Sequence, residues 1–487
     1  MPHVTCFAVR VAATMLSIPM LATAAGTEVD RRIEQAETSL LPDVAFKENL
    51  GRTKSITQRM QELEIPGLSI AVIDGGKVAW ARAYGLSDTV EKTPVTTQTL
   101  FQAGSISKPV AALGALRLVS EGKLSLDEDV NSKLRTWHVP ENEFTKTEKV
   151  TLRRLVSHTA GLTVHGFGGY AAGSQIPTVV QVLDGAAPAN SDPVRVDVQP
   201  GSKWRYSGGG YTVMQLLIAD VAGKPFETYM QSQVLDVLGM KSSTYSQDLP
   251  ASLASRMASA HVAGGKPIAG KRHIYPEMAA AGLLTTPSDL AQYLLYVQSA
   301  VGGKPGPILD ASLAKELVTP QNDGPVGLGP FVYGEGEFAR FGHDGVDEGF
   351  DASSLAYVTQ GKGIVIMANA NFAQSLFTEI TASVARAYDW PEFPKQEQRP
   401  AEHISKALLE RAPGKYQLNP ELAAELRASD GRLFFIGPDG LKFEVFAKDG
   451  AELFAPPMGP HTMTLVETGG KVRALRRSDG REFQRID

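Results

Sequence analysis

A serine hydroxyl and a lysine amine stand three residues apart in Phe101-Gln102-Ala103-Gly104-Ser105-Ile106-Ser107-Lys108, which puts both on one face of a helical turn. A serine hydroxyl becomes a nucleophile only when something takes its proton. An amine can do so if it is held partly neutral, and burial lowers a lysine pKa in that direction. The apolar run that follows (Val110, Leu113, Leu116, Leu118, Val119, then Gly122) places the pair at the N-terminus of a buried helix, where the dipole favours negative charge. Taken alone, a serine and lysine at this spacing occur often by chance, and a capping serine with a surface lysine is the commoner reading.

Two further stretches carry reactive side chains beside glycine. In Trp204-Arg205-Tyr206-Ser207-Gly208-Gly209-Gly210-Tyr211, a phenol precedes three residues whose backbone can approach a site closely; a plain turn capping the next helix is the alternative. In Arg340-Phe341-Gly342-His343-Asp344-Gly345, an imidazole sits on a glycine-bordered strand along which a substrate backbone could lie; an ordinary strand end is the alternative. Other chemistries are missing. There is no G-x-S-x-G elbow, no Gly-Lys pair followed by Ser or Thr, and no H-E-x-x-H among the nine histidines. Neither a metal nor another cofactor is expected.

The elements that must position these residues follow from length and pattern. The 487 residues, 43% hydrophobic and 21% charged, are enough for two or three globular domains. Lys+Arg 48 against Asp+Glu 53 leaves a net charge of −5, which gives no footprint for nucleic acid. Arg10, the apolar run Val11–Ala25 and Ala22-Thr23-Ala24 read as a secretory leader over residues 1–24, too short to span a bilayer. Stable membrane insertion is not expected, and the protein is expected to be periplasmic or secreted. The lone cysteine, Cys6, would leave with the leader.

Residues Glu28–Glu64 are expected to be mostly helical, up to the Pro66-Gly67 break. Leu68–Ile73 and Lys77–Tyr84 around Asp74-Gly75-Gly76 read as a hairpin. Helical periodicity dominates from Ser105 to about Ala300. Strands return at Gly327–Tyr333, Ser354–Val358 and Gly363–Ala368, and a helix from Phe372 to Tyr388 closes the unit. One sheet built from both ends of residues 25–390 is the expected result. The proline-studded stretch 391–404 reads as a linker. Short strands separated by Asp430-Gly431, Asp439-Gly440 and Asp449-Gly450 predict a small antiparallel barrel or sandwich over 405–487.

Together, Ser105-Ile106-Ser107-Lys108, Tyr206-Ser207-Gly208 and His343-Asp344-Gly345 resemble the three motifs of the penicillin-recognising serine hydrolases. The resemblance is to the class C β-lactamase-like branch, with its D-aminopeptidases, DD-peptidases and family VIII carboxylesterases. Ile65–Val72, Leu155–Leu162 and Gly282–Leu290 resemble further signatures of that branch, so the match runs from about Gly51 to Tyr388. It implies an α/β (α+β) fold: a β-lactamase/transpeptidase-like central antiparallel sheet flanked by helices, an all-helical subdomain, and then the small barrel.

The resemblance also implies roles. Ser105 would be the acylated nucleophile, Lys108 its proton acceptor, and Tyr206 the shuttle to the leaving group. Backbone N–H groups of Ser105 and Val346 would form the oxyanion hole, each such donor being worth about 2.7–4 kcal/mol in related chemistry. His343, Asp344, Gly345, Gly208 and Gln102 would border the substrate, with Phe167 and Tyr170 of the 165–170 loop as aromatic walls or core packing. His158 is expected to be structural.

Two positions depart from the pattern. Gly208 stands where the middle motif usually ends in Asn, and His343 stands where most β-lactamases carry Lys. Both point away from a dedicated β-lactamase and toward an exported esterase or D-amino-acid peptidase acting on a small-molecule ester, peptide or β-lactam. A slowly acylating or non-catalytic binder of peptidoglycan fragments is the alternative, and the oligomeric state is left open.

Overall fold

Strand-forming sequence from the two ends of the 25–390 region pairs into one sheet. In the computed structural model the described residues are 21–262, 265–304, 306–420, 422–437, 442–450, 452–456 and 461–487. Most of the expected leader therefore lies outside the described residues. The elements that build the sheet and its cover are α1 (Leu21–Thr38), β1 (Gly67–Asp74), β2 (Lys77–Asp88) and β3 (Thr93–Pro94), then α2 (Ser107–Ser120), α3 (Gly208–Ala222) and α4 (Pro287–Val301). They end with β4 (Phe331–Tyr333), β5 (Arg340–Asp347), β6 (Phe350–Tyr357), β7 (Gly363–Ala368) and α5 (Gln374–Ala387). The seven strands lie in the order β3-β2-β1-β7-β6-β5-β4, and each pair is antiparallel.

The β1–β2 turn needs left-handed backbone, and Gly75 and Gly76 supply it at φ +59° and +71°. β1 is apolar on both faces because both are covered. Leu68, Ile70 and Val72 pack with Ile366, Ile380 and Val384 under α1 and α5. Ala71 and Ile73 pack with Val365, Leu290 and Leu294 on the side of α4 and the helical unit. Val365 pairs with Ala71, so the first core strand and the last lie side by side. Within the helical unit, α2 is buried over nearly its whole circumference, as a helix apolar all round must be.

The Glu28–Glu64 segment, expected to be mostly helical, is helical in separate pieces. Helix α1 stops at Thr38, a short strand forms at Val44–Phe46, and a new helix runs over Ile56–Glu62 with a Ser55–Gln58 capping box. Pro42 lies in the break, where the missing N–H and the constraint on the residue before it disfavour helix. The 391–404 stretch expected as a linker is strapped down. Arg399–Ala401 pairs in parallel with Val44–Phe46, and Gln396 and Gln398 donate to the carbonyls of Leu41 and Pro42 at 2.6 and 2.9 Å.

Beyond it an eight-stranded antiparallel sheet curls until Tyr416 of its first strand bridges to Arg485 near its last. Its interior holds Tyr416, Leu426, Leu433, Phe435, Val445, Leu453 and Leu475. This small barrel meets the larger unit through a Glu402–Ala447 bridge and an edge-on Phe372–Phe443 contact at 5.7 Å.

Candidate active site

Phe101-Gln102 pairs with Leu284-Thr285, and the chain then turns through Gly104 into a 3-10 turn, Gly104–Ile106, that runs into α2. Gly104 has φ +52°, and a Cβ there would lie 2.4 Å from the backbone nitrogen of Val346, so only glycine fits. The turn is clamped from behind: the Ser107 hydroxyl accepts the Leu283 N–H at 2.9 Å, and the Tyr245 hydroxyl donates to the Ser107 carbonyl at 2.7 Å. Ser105 is thereby held at the start of α2, half-buried, with Lys108 one turn on. Lys108 is 2% exposed and donates to Ser105 Oγ and to the Ala280 carbonyl, each at 2.8 Å. An amine fixed between a serine oxygen and a carbonyl, away from water, is what proton abstraction from Ser105 requires.

β5 crosses directly over this turn. A Cβ on Gly345 would lie 1.9 Å from the Ala103 carbonyl oxygen and 3.1 Å from the Ser105 nitrogen. β4 pairs with β5 only at Arg340–Gly342, so among the described residues no strand flanks its outer edge from His343 onward. Val346 on that stretch is 59% exposed. The backbone nitrogens of Ser105 and Val346 meet at this junction, where two N–H groups could hold an oxyanion.

Tyr206 comes from the segment before α3, and His158 holds it there. The His158 carbonyl accepts the Arg205 N–H at 2.8 Å, its Nδ1 accepts the Ser207 N–H at 3.0 Å, and its ring stacks on Tyr206 at 4.2 Å. Lys108 Nζ lies 4.9 Å from the centre of the Tyr206 ring, and the buried Tyr206 hydroxyl has no hydrogen-bond partner. Burial first, and then the Lys108 charge, keep His158 neutral by lowering its pKa well below the usual range.

His343 lies on the same face of β5 as Gly345, with its ring 6.1 Å from that of Tyr206. Burial and the Lys108 charge push its pKa down to about 3. Its Nδ1 is 2.5 Å from the Asp344 carbonyl oxygen, which can only accept, so the proton sits on Nδ1. Nε2 is left as a buried, unpartnered acceptor. Asp344 is exposed on the opposite face.

The loop before Tyr170 is stitched to α3. Gly208 N–H donates to the His165 carbonyl at 2.9 Å and Gly209 N–H to the Val164 carbonyl at 3.0 Å. A Cβ on Gly208 would meet the His165 carbonyl oxygen and Phe167 Cε2, both at 3.1 Å. Phe167 therefore fills the space beside Gly208. Tyr170 is placed inside, where its hydroxyl accepts the Asn190 N–H at 3.0 Å, and Gln102 is fully buried with its amide donating to the His273 carbonyl at 3.1 Å.

Sequence reasoning passed over three residues here: Tyr275, Glu277 and Asp347. Asp347 follows His343 and Gly345 on the same face of β5, a position readable from strand alternation. Burial drives its carboxyl pKa far upward, against the favourable influence of Lys108, the Gly104 N–H and the Tyr275 hydroxyl. Glu277 opens the short helix whose Ala280 carbonyl receives Lys108, and burial pushes its carboxyl up to about 7. No sequence signal marked it.

Comparison with known proteins matches the Beta-lactamase family model to residues 53–388. The chain is 21% identical over 452 residues to Penicillin-binding protein 4* of Bacillus subtilis, spanning 86% of this chain and 94% of that protein. It is 29% identical over 238 residues to a beta-lactamase of Pseudomonas fluorescens, spanning 48% of this chain and 60% of that protein. Among solved structures, the octameric penicillin-binding protein homologue from Pyrococcus abyssi superposes with a TM-score of 0.59 at 20% identity, covering 88% of this chain and 97% of that one. The beta-lactamase/D-alanine carboxypeptidase from Pseudomonas syringae gives a TM-score of 0.55 at 20% identity, covering 76% and 100%.

Proposed function

The chain belongs to the beta-lactamase family, and on that footing we propose that it is an exported serine hydrolase that forms an acyl-enzyme on Ser105 and cleaves esters or amides. The observation that carries this reading is the buried Lys108 amine 2.8 Å from Ser105 Oγ. In the acylation step Ser105 Oγ bonds to the substrate carbonyl carbon while Lys108 takes its proton. The carbonyl oxygen, now negative, is met by the N–H groups of Ser105 and Val346. Collapse expels the leaving group, which receives a proton by way of Tyr206. Water then repeats the sequence in reverse and releases the acid.

The substrate side of the site favours a carboxylesterase or D-amino-acid peptidase over an efficient β-lactamase. A penicillin carries a carboxylate that a fixed cation would hold, and here a neutral imidazole stands in its place. The amide that usually binds the substrate carbonyl is absent at Gly208, and Phe167 occupies the space beside it. Export rests on the N-terminal leader pattern; no helix among the described residues is long and apolar enough to cross a membrane.

Ser105→Ala should abolish hydrolysis of p-nitrophenyl butyrate, and mass spectrometry of the wild-type chain should find the acyl adduct on Ser105. Undiminished hydrolysis by the variant rejects the assignment. The Gly208 departure also favours a second reading, a peptidoglycan-fragment binder that acylates slowly or not at all. A single burst of p-nitrophenol with no steady state would select it.

A further inference from the structure

The turn that ends β5 is held by a single side chain from another strand. Glu348 and Gly349 join β5 to β6, with Asp347 facing Phe350 and Val346 facing Asp351 across the ladder. Asn371, just past the end of β7, reaches both arms of this turn. Its Nδ2 donates to the Asp347 carbonyl at 2.9 Å, to Asp351 Oδ1 at 3.1 Å and to the Phe350 carbonyl at 3.4 Å, and its Oδ1 accepts the Gly349 N–H at 2.8 Å. Only an amide carries the donor and the acceptor this needs on one short side chain. Asp351 is fixed in turn by the Ala373 N–H at 2.8 Å.

The turn matters because of what stands one residue before it. Val346 supplies one of the two N–H groups at the oxyanion junction, yet it is 59% exposed, and among the described residues no strand flanks its outer side. Gly345 is pinned against the Ala103 carbonyl on one side of Val346, and Asp347 is pinned by Asn371 on the other. An oxyanion donor works by being aimed beforehand at the place where charge develops, so a turn free to rotate would weaken it.

The backbone that presents Asn371 is itself held against its preference. Phe372 has φ +67°, a conformation that a bulky residue keeps only where its surroundings impose it. The ring of Phe372 meets Phe443 of the small barrel edge-on at 5.7 Å. Phe443 packs against the barrel interior, and the barrel is fastened to the larger unit nearby by the Phe46–Phe446 edge contact at 6.1 Å and the Lys47–Asp449 ion pair at 3.8 Å.

Resting on the serine-hydrolase reading, we infer that Asn371 is a positioning residue for the Val346 N–H, and that the C-terminal barrel, through Phe443 against Phe372, keeps the Asn371 corner in the conformation this requires. The barrel then serves the reaction without supplying a group to the site. A loosened corner weakens a contact made to the transition state more than one made to bound substrate, so the loss falls on kcat and leaves KM nearly unchanged.

Steady-state kinetics of the full chain with p-nitrophenyl butyrate, beside the thermal transition of each variant, test this. Asn371→Asp, nearly isosteric but without the donor, should lower kcat at least tenfold with KM within twofold of wild type. Phe443→Ala should lower kcat at least threefold in the same pattern, and Phe443→Tyr, which keeps the ring, should not. Glycine adopts a positive φ freely, so in a Phe372→Gly background Phe443→Ala should change kcat less than twofold. Wild-type kcat in Asn371→Asp or in Phe443→Ala, a loss carried by KM, or an equal Phe443→Ala loss in the glycine background overturns the inference, while wild-type turnover and the Ser105 adduct keep the hydrolase reading. If the wild-type chain neither turns over the ester nor forms the adduct, both fall. Should Asn371→Asp not fold, the Phe443 and Phe372 variants decide by the same measure.

Discussion

The side chain that Gly208 lacks would point straight at the carbonyl oxygen of His165, 3.1 Å from where its Cβ would begin. The departure from the usual asparagine is thus matched by a loop that has moved into the vacated space and is pinned there by the Gly208 and Gly209 N–H groups. Gly208→Asn should therefore fail to raise nitrocefin hydrolysis. Overpacking of this kind costs about 1–3 kcal/mol, so the variant should also melt at a lower temperature. A gain of nitrocefin turnover with unchanged stability would show that the loop yields.

In the proposed mechanism the residue at 108 accepts the Ser105 proton, which a guanidinium cannot do. Lys108→Arg should lower kcat/KM for p-nitrophenyl butyrate by roughly 10²–10⁴, the range for losing a general base. The p-nitrophenol burst is the direct measurement, and a burst at the wild-type rate would remove Lys108 from the mechanism.

His343 is held neutral down to about pH 3, whereas in the unfolded chain it takes up a proton near its ordinary value of 6.5. Below that value the unfolded state binds more protons, so the His343 contribution to stability is present at neutral pH and is lost as pH falls from 6.5 toward 3. His343→Asn should flatten the decline of the thermal midpoint across that window. An equal decline in both proteins would assign acid sensitivity to other groups.

Glu379 on α5 is fully buried and receives both Arg59 Nε and Arg59 Nη2 at 2.7 Å, along with the Asp43 N–H at 3.3 Å. It ties the helix at Ile56–Glu62 and the strapped 43–46 segment to the back of the sheet. Removing Glu379 leaves the largely buried Arg59 with Glu62 as its one remaining carboxylate partner, so the cost should approach but not exceed the roughly 3–5 kcal/mol of a fully orphaned buried charge. Glu379→Ala should shift the denaturant midpoint accordingly, and a shift under about 1 kcal/mol would mean that Arg59 reaches water.

Much of this architecture was legible because its signals are local. The Asp74-Gly75-Gly76 turn, the apolar α2 and the barrel strands punctuated by Asp-Gly turns each follow from residues adjacent in sequence. The Ser105–Lys108 pair was legible for the same reason, since helical spacing alone sets its proximity. The break in the first helical segment was missed because Pro42 acts together with a partner strand, Arg399–Ala401, more than 350 residues away. Glu277 was invisible for a related reason: the helix it opens reaches the site only through the Ala280 carbonyl that receives Lys108, 172 residues away in sequence. His158 was read as structural, and its contacts with Arg205 and Ser207 give that reading its content: it carries Tyr206.

The side-by-side placement of β1 and β7 also dictates when the molecule can be assembled. As the chain leaves the ribosome, Ala71 emerges nearly three hundred residues ahead of Val365, its partner across the ladder. Until then one edge of the most apolar strand stands open, an invitation to aggregation. Closure over such a separation is slow. About three quarters of the 487 residues must be made before the sheet can lock, and a nascent or truncated chain ending before Gly363 would need a chaperone to stay soluble.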